Sequence, residues 1–153
     1  KLAGINVQYT AGDYSPAFKE MAARLYPNIP FDIADADCLP YLSHFDVVLH
    51  SATIMHIHDW RKAVQEAKRV TGGYVILHRT PVSTVEPTKA FLKEGYGVEM
   101  FEWQFNEDEL LSVCAGLDLA PVYTTDVSWD AERHCGMRSY LLKKDEELFY
   151  HPV

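Results

Sequence analysis

Between Phe45 and His78 the chain reads FDVVLHSATIMHIHDWRKAVQEAKRVTGGYVILH, and three segments of different period lie within it. FDVVLHS, residues 45–51, is a short, almost continuous apolar run, the pattern of a strand covered on both faces of a parallel sheet. DWRKAVQEAKRV sets Ala63, Val64, Ala67 and Val70 on one stripe at helical spacing, with Asp59 as its cap. Gly72-Gly73 is expected to end that helix, and YVILH to form a second buried strand. Strand, helix and strand joined by short connections form the unit of a parallel α/β sheet.

The same alternation extends toward the N-terminus. INVQYTAGD is β-branched and aromatic enough for a strand and breaks at Gly12-Asp13. SPAFKEMAARLYP follows, with Ser15 at the N-cap, Pro16 in the first turn, and Phe18, Met21, Ala22 and Leu25 at helical spacing, until Pro27 stops it. FDIAD, from Phe31, is the next strand, closed by Leu39-Pro40, and a turn or loop over Leu39 to His44 stands where a crossover helix would run. The first 80 residues thus read β-α-β-β-α-β, with helices expected on both faces.

Toward the C-terminus the character changes. TPVSTVEPTKAFLKEGYGVEM, residues 80–100, holds two prolines and two glycines and reads as a long loop with a short helix around Thr88 to Lys93, so residues 80–105 are expected to be a lid-like insertion over the acceptor side. NEDELLSVCAGLD is a helix capped by Asn106, with Glu107, Asp108 and Glu109 at its positive end and Gly116 near its close. LAPVYTTDVSW and CGMRSYLLKK should pair as an antiparallel hairpin at a sheet edge. The expected fold is a single α/β domain over residues 1–153, Rossmann-like and doubly wound, mostly parallel, with a C-terminal antiparallel hairpin.

Bulk properties narrow the function. The 153 residues are 48% hydrophobic, one domain's worth of core. No apolar run approaches the roughly 18 residues of a membrane span, and KLAGINVQYT lacks a signal-peptide apolar region, so a cytoplasmic chain is expected. Cys38, Cys114 and Cys135 show no CxxC spacing, which suggests buried or half-buried thiols and no zinc knuckle. A formal charge of −8 disfavours nucleic acid and anionic membranes as partners and favours small molecules; a homodimer is compatible with this composition.

Ligands of open parallel sheets sit beyond the carboxyl ends of the strands. Asp13 follows the first strand, Asp35 and Asp37 the second, His50 and Ser51 end the third, and His78 and Arg79 end the fourth. In FDIADADCLP, Asp32 reads as a solvated strand residue, and Asp35 and Asp37 can serve simply as turn formers, as Asp13 can. His56-Ile57-His58-Asp59 near His78 raises a metal site, but the spacing gives no closed ligand set and capping accounts for Asp59, so none is expected.

The run from Gly12 to Leu77 resembles, almost position for position, the central stretch of class I S-adenosylmethionine-dependent methyltransferases. The resemblance implies S-adenosylmethionine as cofactor, with S-adenosylhomocysteine as product, and transfer of methyl to an O or N atom of a small-molecule acceptor. It matches Asp13, beside Tyr14, to the acid that binds the ribose hydroxyls, Asp35 to the acceptor of the adenine amino group, and Ala36 to the backbone N–H that meets an adenine ring nitrogen. The segment HSATIMHIHDW matches the loop beside the methionine part, so His50 and Ser51 are cofactor candidates, and His50, His56 and His78 are candidates for a general base.

Two departures accompany the match. The family's Gly-rich loop and first strand should precede INVQYTAGD and are not in the sequence, which keeps a non-catalytic binding or interaction module as the alternative. The Lys-Pro usual before the glycines of AKRVTGGYVIL is also missing. Beyond residue 80 the resemblance thins, and Tyr96, Phe101, Trp103 and Phe105 are read either as covering an acceptor pocket or as an alternating strand face.

Overall fold

A computed structural model describes residues 6–42, 45–95 and 97–145. Strand β1 (Ala11–Asp13) and strand β2 (Phe31–Ile33) pair in parallel, joined by helix α1 (Pro16–Leu25). Strand β3 (Phe45–Ser51) leads through a 3-10 turn (Ile54–His56) into helix α2 (Trp60–Val70) and strand β4 (Thr71–Ser83). Then come β5 (Lys89–Gly95), β6 (Val98–Asn106), α3 (Glu107–Gly116), β7 (Leu119–Asp130) and β8 (Cys135–Lys144).

Strand β4 organises the larger sheet. Its one edge carries β8 in antiparallel pairing from Tyr74↔Lys143 to Ser83↔Cys135, and β7 continues beyond β8 as the edge strand. The other edge carries β3 in parallel over Thr71 to His78 and then β6, also parallel, at Val82 and Ser83. The expected β-α-β unit and closing hairpin are both present. Among the described residues β1 and β2 form a parallel pair separate from the larger sheet.

Burial follows the helical stripe read from the sequence. Trp60, Ala63, Val64, Ala67 and Val70 of α2 are buried, and Trp60, Val64 and Ala67 cluster with Val75 and Leu77 of β4, Tyr140 and Leu142 of β8, and Leu110 and Cys114 of α3. Trp60 meets Phe105 edge to face at 5.0 Å, the arrangement that ring quadrupoles favour. The caps Asp59 and Asn106 accept from the N–H groups of Lys62 and Glu109. Ser15 occupies the N-cap of α1 without such a bond.

Several expectations are corrected. The glycines 72 and 73 do not end α2, which closes at Val70; they open β4. A Cβ on Gly73 would lie 2.9 Å from the Asp46 carbonyl oxygen, so glycine there lets β3 approach. Strands β5 and β6 pair antiparallel where a loop and short helix were expected, and the period-two alternation of Phe101, Trp103 and Phe105 is that of a strand; Tyr96 lies outside the described residues. The stripe of α1 is not buried, with Phe18 and Leu25 half exposed. On the β3–β4 pair Val47, Leu49 and Tyr74 are exposed. Of the cysteines, Cys38 is exposed, Cys114 buried and Cys135 intermediate.

Candidate functional site

The parallel register aligns Asp13 with Ile33, and the Ala34 N–H donates to the Asp13 carbonyl at 3.0 Å, so β1 and β2 end together. Asp13 then turns the chain into α1, its Oδ1 accepting from the Ser15 N–H at 2.9 Å. Tyr14 beside it is exposed. After Ala34 the FDIAD run leaves the sheet: the Cys38 N–H donates to the Asp35 carbonyl at 3.0 Å, and Asp35 Oδ1 accepts from the Asp37 N–H at 3.5 Å. Asp13 and Asp35 each keep a second carboxylate oxygen with no partner among the described residues, and Ala36 is half-buried within the turn.

Asp32 is not the solvated residue expected of it. It is half-buried, and its Oδ2 accepts from the Tyr41 hydroxyl at 3.0 Å. Burial, with the carboxylate beside it, pushes the Tyr41 phenol up to about 12, so that hydroxyl remains a donor at neutral pH.

The turn after Asp35 is tied to α2 by a pair that sequence reasoning missed. Glu66 Oε2 accepts from the Leu39 N–H at 2.9 Å. Arg69 donates to the carbonyls of Leu39 and Tyr41 at 2.9 and 2.8 Å and to both oxygens of Glu66. The Arg69 hydrogen bonds hold the Glu66 carboxyl below the usual range against the opposing effect of its burial. An acid and an arginine three apart on α2 were the available signal, indistinguishable in sequence from an ordinary surface pair.

The three candidate histidines are in different surroundings. His50 points into the core with Val48, is 6% exposed, and its Nε2 has no partner among the described residues; burial alone pushes it down to about 4. His56 is exposed, with Nδ1 2.8 Å from the Phe101 carbonyl oxygen. A carbonyl only accepts, so Nδ1 carries the proton and Nε2 presents a lone pair. His78 is half-buried, pairs across the sheet with Ser51, and its Nδ1 lies 2.8 Å from Ser139 Oγ. Ala52, in the left-handed region at φ 52°, donates its N–H to the His78 carbonyl at 2.8 Å and so joins the ends of β3 and β4.

The β5–β6 hairpin closes over the 3-10 turn. Phe101 stacks on His58 at 4.4 Å, and Trp103 Nε1 donates to the Ile57 carbonyl at 3.0 Å. Among the described residues no group of three His, Cys, Asp or Glu could hold a metal ion, and no helix is long and apolar enough to cross a membrane.

A family profile described as a methyltransferase domain matches residues 1–77, half of the chain. The chain belongs to the class I S-adenosylmethionine-dependent methyltransferases. No curated protein matches this methyltransferase domain in sequence. Its fold is similar to that of a methyltransferase from Methanosarcina mazei, with a TM-score of 0.70 at 17% identity, covering 88% of this chain and 81% of that one. It also resembles the Burkholderia thailandensis 1,6-didemethyltoxoflavin-N1-methyltransferase, solved with S-adenosylhomocysteine, at TM-score 0.61 and 16% identity over 91% of this chain. A sugar N-methyltransferase from Streptoalloteichus gives TM-score 0.61 at 16% identity over 88% of this chain and 70% of its own. The methyltransferase domain spans 62% of the length of the Burkholderia enzyme.

The strand ends fit the family's cofactor by their chemistry. Ribose hydroxyls and an adenine amino group are donors, and the free oxygens of Asp13 and Asp35 are acceptors at the ends of neighbouring strands.

Proposed function

We propose that the chain is a methyltransferase that transfers methyl from S-adenosylmethionine to an O or N atom of a small-molecule acceptor. The observation that carries this reading is the parallel β1–β2 pair, which ends in Asp13 on one strand and the Asp35-Ala36 turn immediately after the other. In this reading Asp13 accepts from the ribose hydroxyls, Asp35 from the adenine amino group, and Ala36 donates its N–H to a ring nitrogen. Glu66 and Arg69 hold the turn in place by bonding its backbone.

Bound there, S-adenosylmethionine supplies an already activated methyl group on its sulfonium, so the protein's contribution is alignment and proton removal. Of the three histidines, His56 suits a general base best, because the Phe101 carbonyl pins the proton on Nδ1 and leaves Nε2 free to accept one from the acceptor. His50 is buried among apolar side chains on the core face. The β5–β6 hairpin serves as the cover of the acceptor side, tied to the His56 turn through Phe101 and Trp103. Three thiols with no disulfide among them support a cytoplasmic setting.

Calorimetric titration with S-adenosylhomocysteine tests the reading. Saturable heat that Asp35→Ala weakens about tenfold or more is expected. Absence of binding at millimolar ligand would refute it, and binding without transfer to any acceptor would favour the non-catalytic module.

A further inference from the structure

At the carboxyl end of the sheet β4 breaks its pairing with β8. The register passes from Leu77↔Tyr140 to Thr80↔Arg138, so His78 and Arg79 together oppose the single residue Ser139. Arg79 adopts φ 55°, a left-handed backbone that is strained for a side-chain-bearing residue and is retained where the surrounding structure enforces it. Such bulges re-aim side chains and gather beside binding sites. Here Leu77 and Thr80 on either side are buried, while His78 is half exposed and Arg79 exposed.

Ser139 Oγ is the partner that faces His78. The hydroxyl is nearly buried and has two neighbours, the Arg79 backbone N–H at 3.4 Å and His78 Nδ1 at 2.8 Å. The amide can only donate, so the hydroxyl oxygen accepts there, and Nδ1 is the one acceptor hydrogen-bonded to the hydroxyl among the described residues. With the hydroxyl proton given to Nδ1, the neutral imidazole carries its proton on Nε2, and a protonated ring carries one there too. In either charge state His78 then offers a donor from Nε2.

The next residue adds a cation. Of the six arginines, Arg61, Arg69, Arg133 and Arg138 are paired with carboxylates, whereas Arg24 on α1 and Arg79 have no carboxylate partner among the described residues, in a chain of net charge −8. An N–H donor and an unpaired guanidinium on adjacent residues match the oxygens of an anion.

We propose that His78 and Arg79 form an oxyanion subsite that anchors a carboxylate or phosphate group of the methyl acceptor, with Ser139 as the positioning residue that fixes the His78 donor. The acceptor is then an acidic small molecule, held by its anion at the end of β4. This deepens the methyltransferase reading and rests on it for the identity of the ligand as acceptor.

The test has two arms. A long-range 1H–15N imidazole spectrum of the labelled chain, with His78 assigned by its loss in His78→Gln, should show Nε2 protonated and Nδ1 as acceptor. Ser139→Asp should reverse this, because a carboxylate accepts from Nδ1–H, and Ser139→Ala should shift the Nδ1 resonance. A His78 ring found protonated on Nδ1 alone in the unmodified chain overturns the proposal. In the second arm benzoate, phenyl phosphate and benzyl alcohol are titrated while the His78 resonances are followed. Either anion should bind at least tenfold tighter than the alcohol, the tighter of the two naming the group, and Arg79→Gln should remove that preference. Equal binding of the alcohol, or an Arg79→Gln variant that keeps the preference, overturns the subsite. Binding of S-adenosylhomocysteine, measured separately, tells failure of the subsite from failure of the methyltransferase reading.

Discussion

His56 and His78 both engage a hydrogen-bond partner through Nδ1 at 2.8 Å, yet the partners are of opposite kind, a carbonyl oxygen for His56 and a hydroxyl for His78. The carbonyl places the neutral His56 proton on Nδ1 and leaves a lone pair on Nε2, whereas the hydroxyl can donate to His78, as it does in the proposed subsite. Two side chains of identical chemistry thus face partners that act on Nδ1 differently. His56→Gln should lower the transfer rate constant by about 10²-fold or more while leaving S-adenosylhomocysteine affinity within about twofold, measured by single-turnover kinetics and calorimetry. An unchanged rate would remove His56 from the chemistry.

The tie between α2 and the Asp35 turn should be measurable in both binding and acid stability. Arg69→Ala frees the carbonyls of Leu39 and Tyr41 and is expected to weaken S-adenosylhomocysteine several-fold, since net hydrogen-bond contributions run about 0.5 to 1.5 kcal/mol. The Glu66 carboxyl is held below its ordinary value of 4.5, so its contribution to stability is present above that pH and is lost as the pH falls through the lower folded value. Glu66→Gln should therefore flatten thermal stability against pH below about 4.5. Thermal melts of the two proteins from pH 6 to 3 check the sign.

His50 makes the opposite kind of group tell in a different window. Its folded value of about 4 lies below the ordinary 6.5, so the unfolded chain takes up the proton first. Stability is intact above pH 6.5 and declines as the pH falls toward 4. At about 1.4 kcal/mol per pH unit, the fully developed loss is about 3 kcal/mol. His50→Leu should abolish this decline, as urea unfolding at pH 7 and 4.5 would reveal. If His50 instead reached solvent, the unmodified chain and His50→Leu would lose stability in parallel.

Gly73 offers a steric test of the β3–β4 contact. The added methyl of Gly73→Ala would meet the Asp46 carbonyl at 2.9 Å, and relieving that contact requires the strands to separate. A cost of about 1 to 3 kcal/mol is expected, read as a lower denaturation midpoint with an unchanged slope. The same substitution at Gly116, where no atom lies within 4 Å of the added carbon, should be close to neutral.

Much of the architecture was legible because it is local. The Asp59 and Asn106 caps, the Ala63 to Val70 stripe and the FDVVLHS strand each follow from residues within one or two turns of one another. The hairpin over residues 89–106 was harder, since its alternating aromatics fit a pocket wall as well as a strand. The acids of FDIADADCLP separate only partly by sequence: Asp35 at the strand end could be read, but Asp32 needed Tyr41, nine residues on, to explain it.

The sequence by itself determined the strand-helix alternation of the first 80 residues, the last helix and hairpin, the family and the carboxylates at the ends of the first two strands, because capping, periodicity and strand-end chemistry act over a few residues. Only the tertiary structure decided which histidine is buried and which partner faces each of the other two. Those partners are Phe101, 45 residues from His56, and Ser139, 61 residues from His78. A proton's place on an imidazole is set by the atom that faces it, and here the fold supplies that atom from a distant part of the chain.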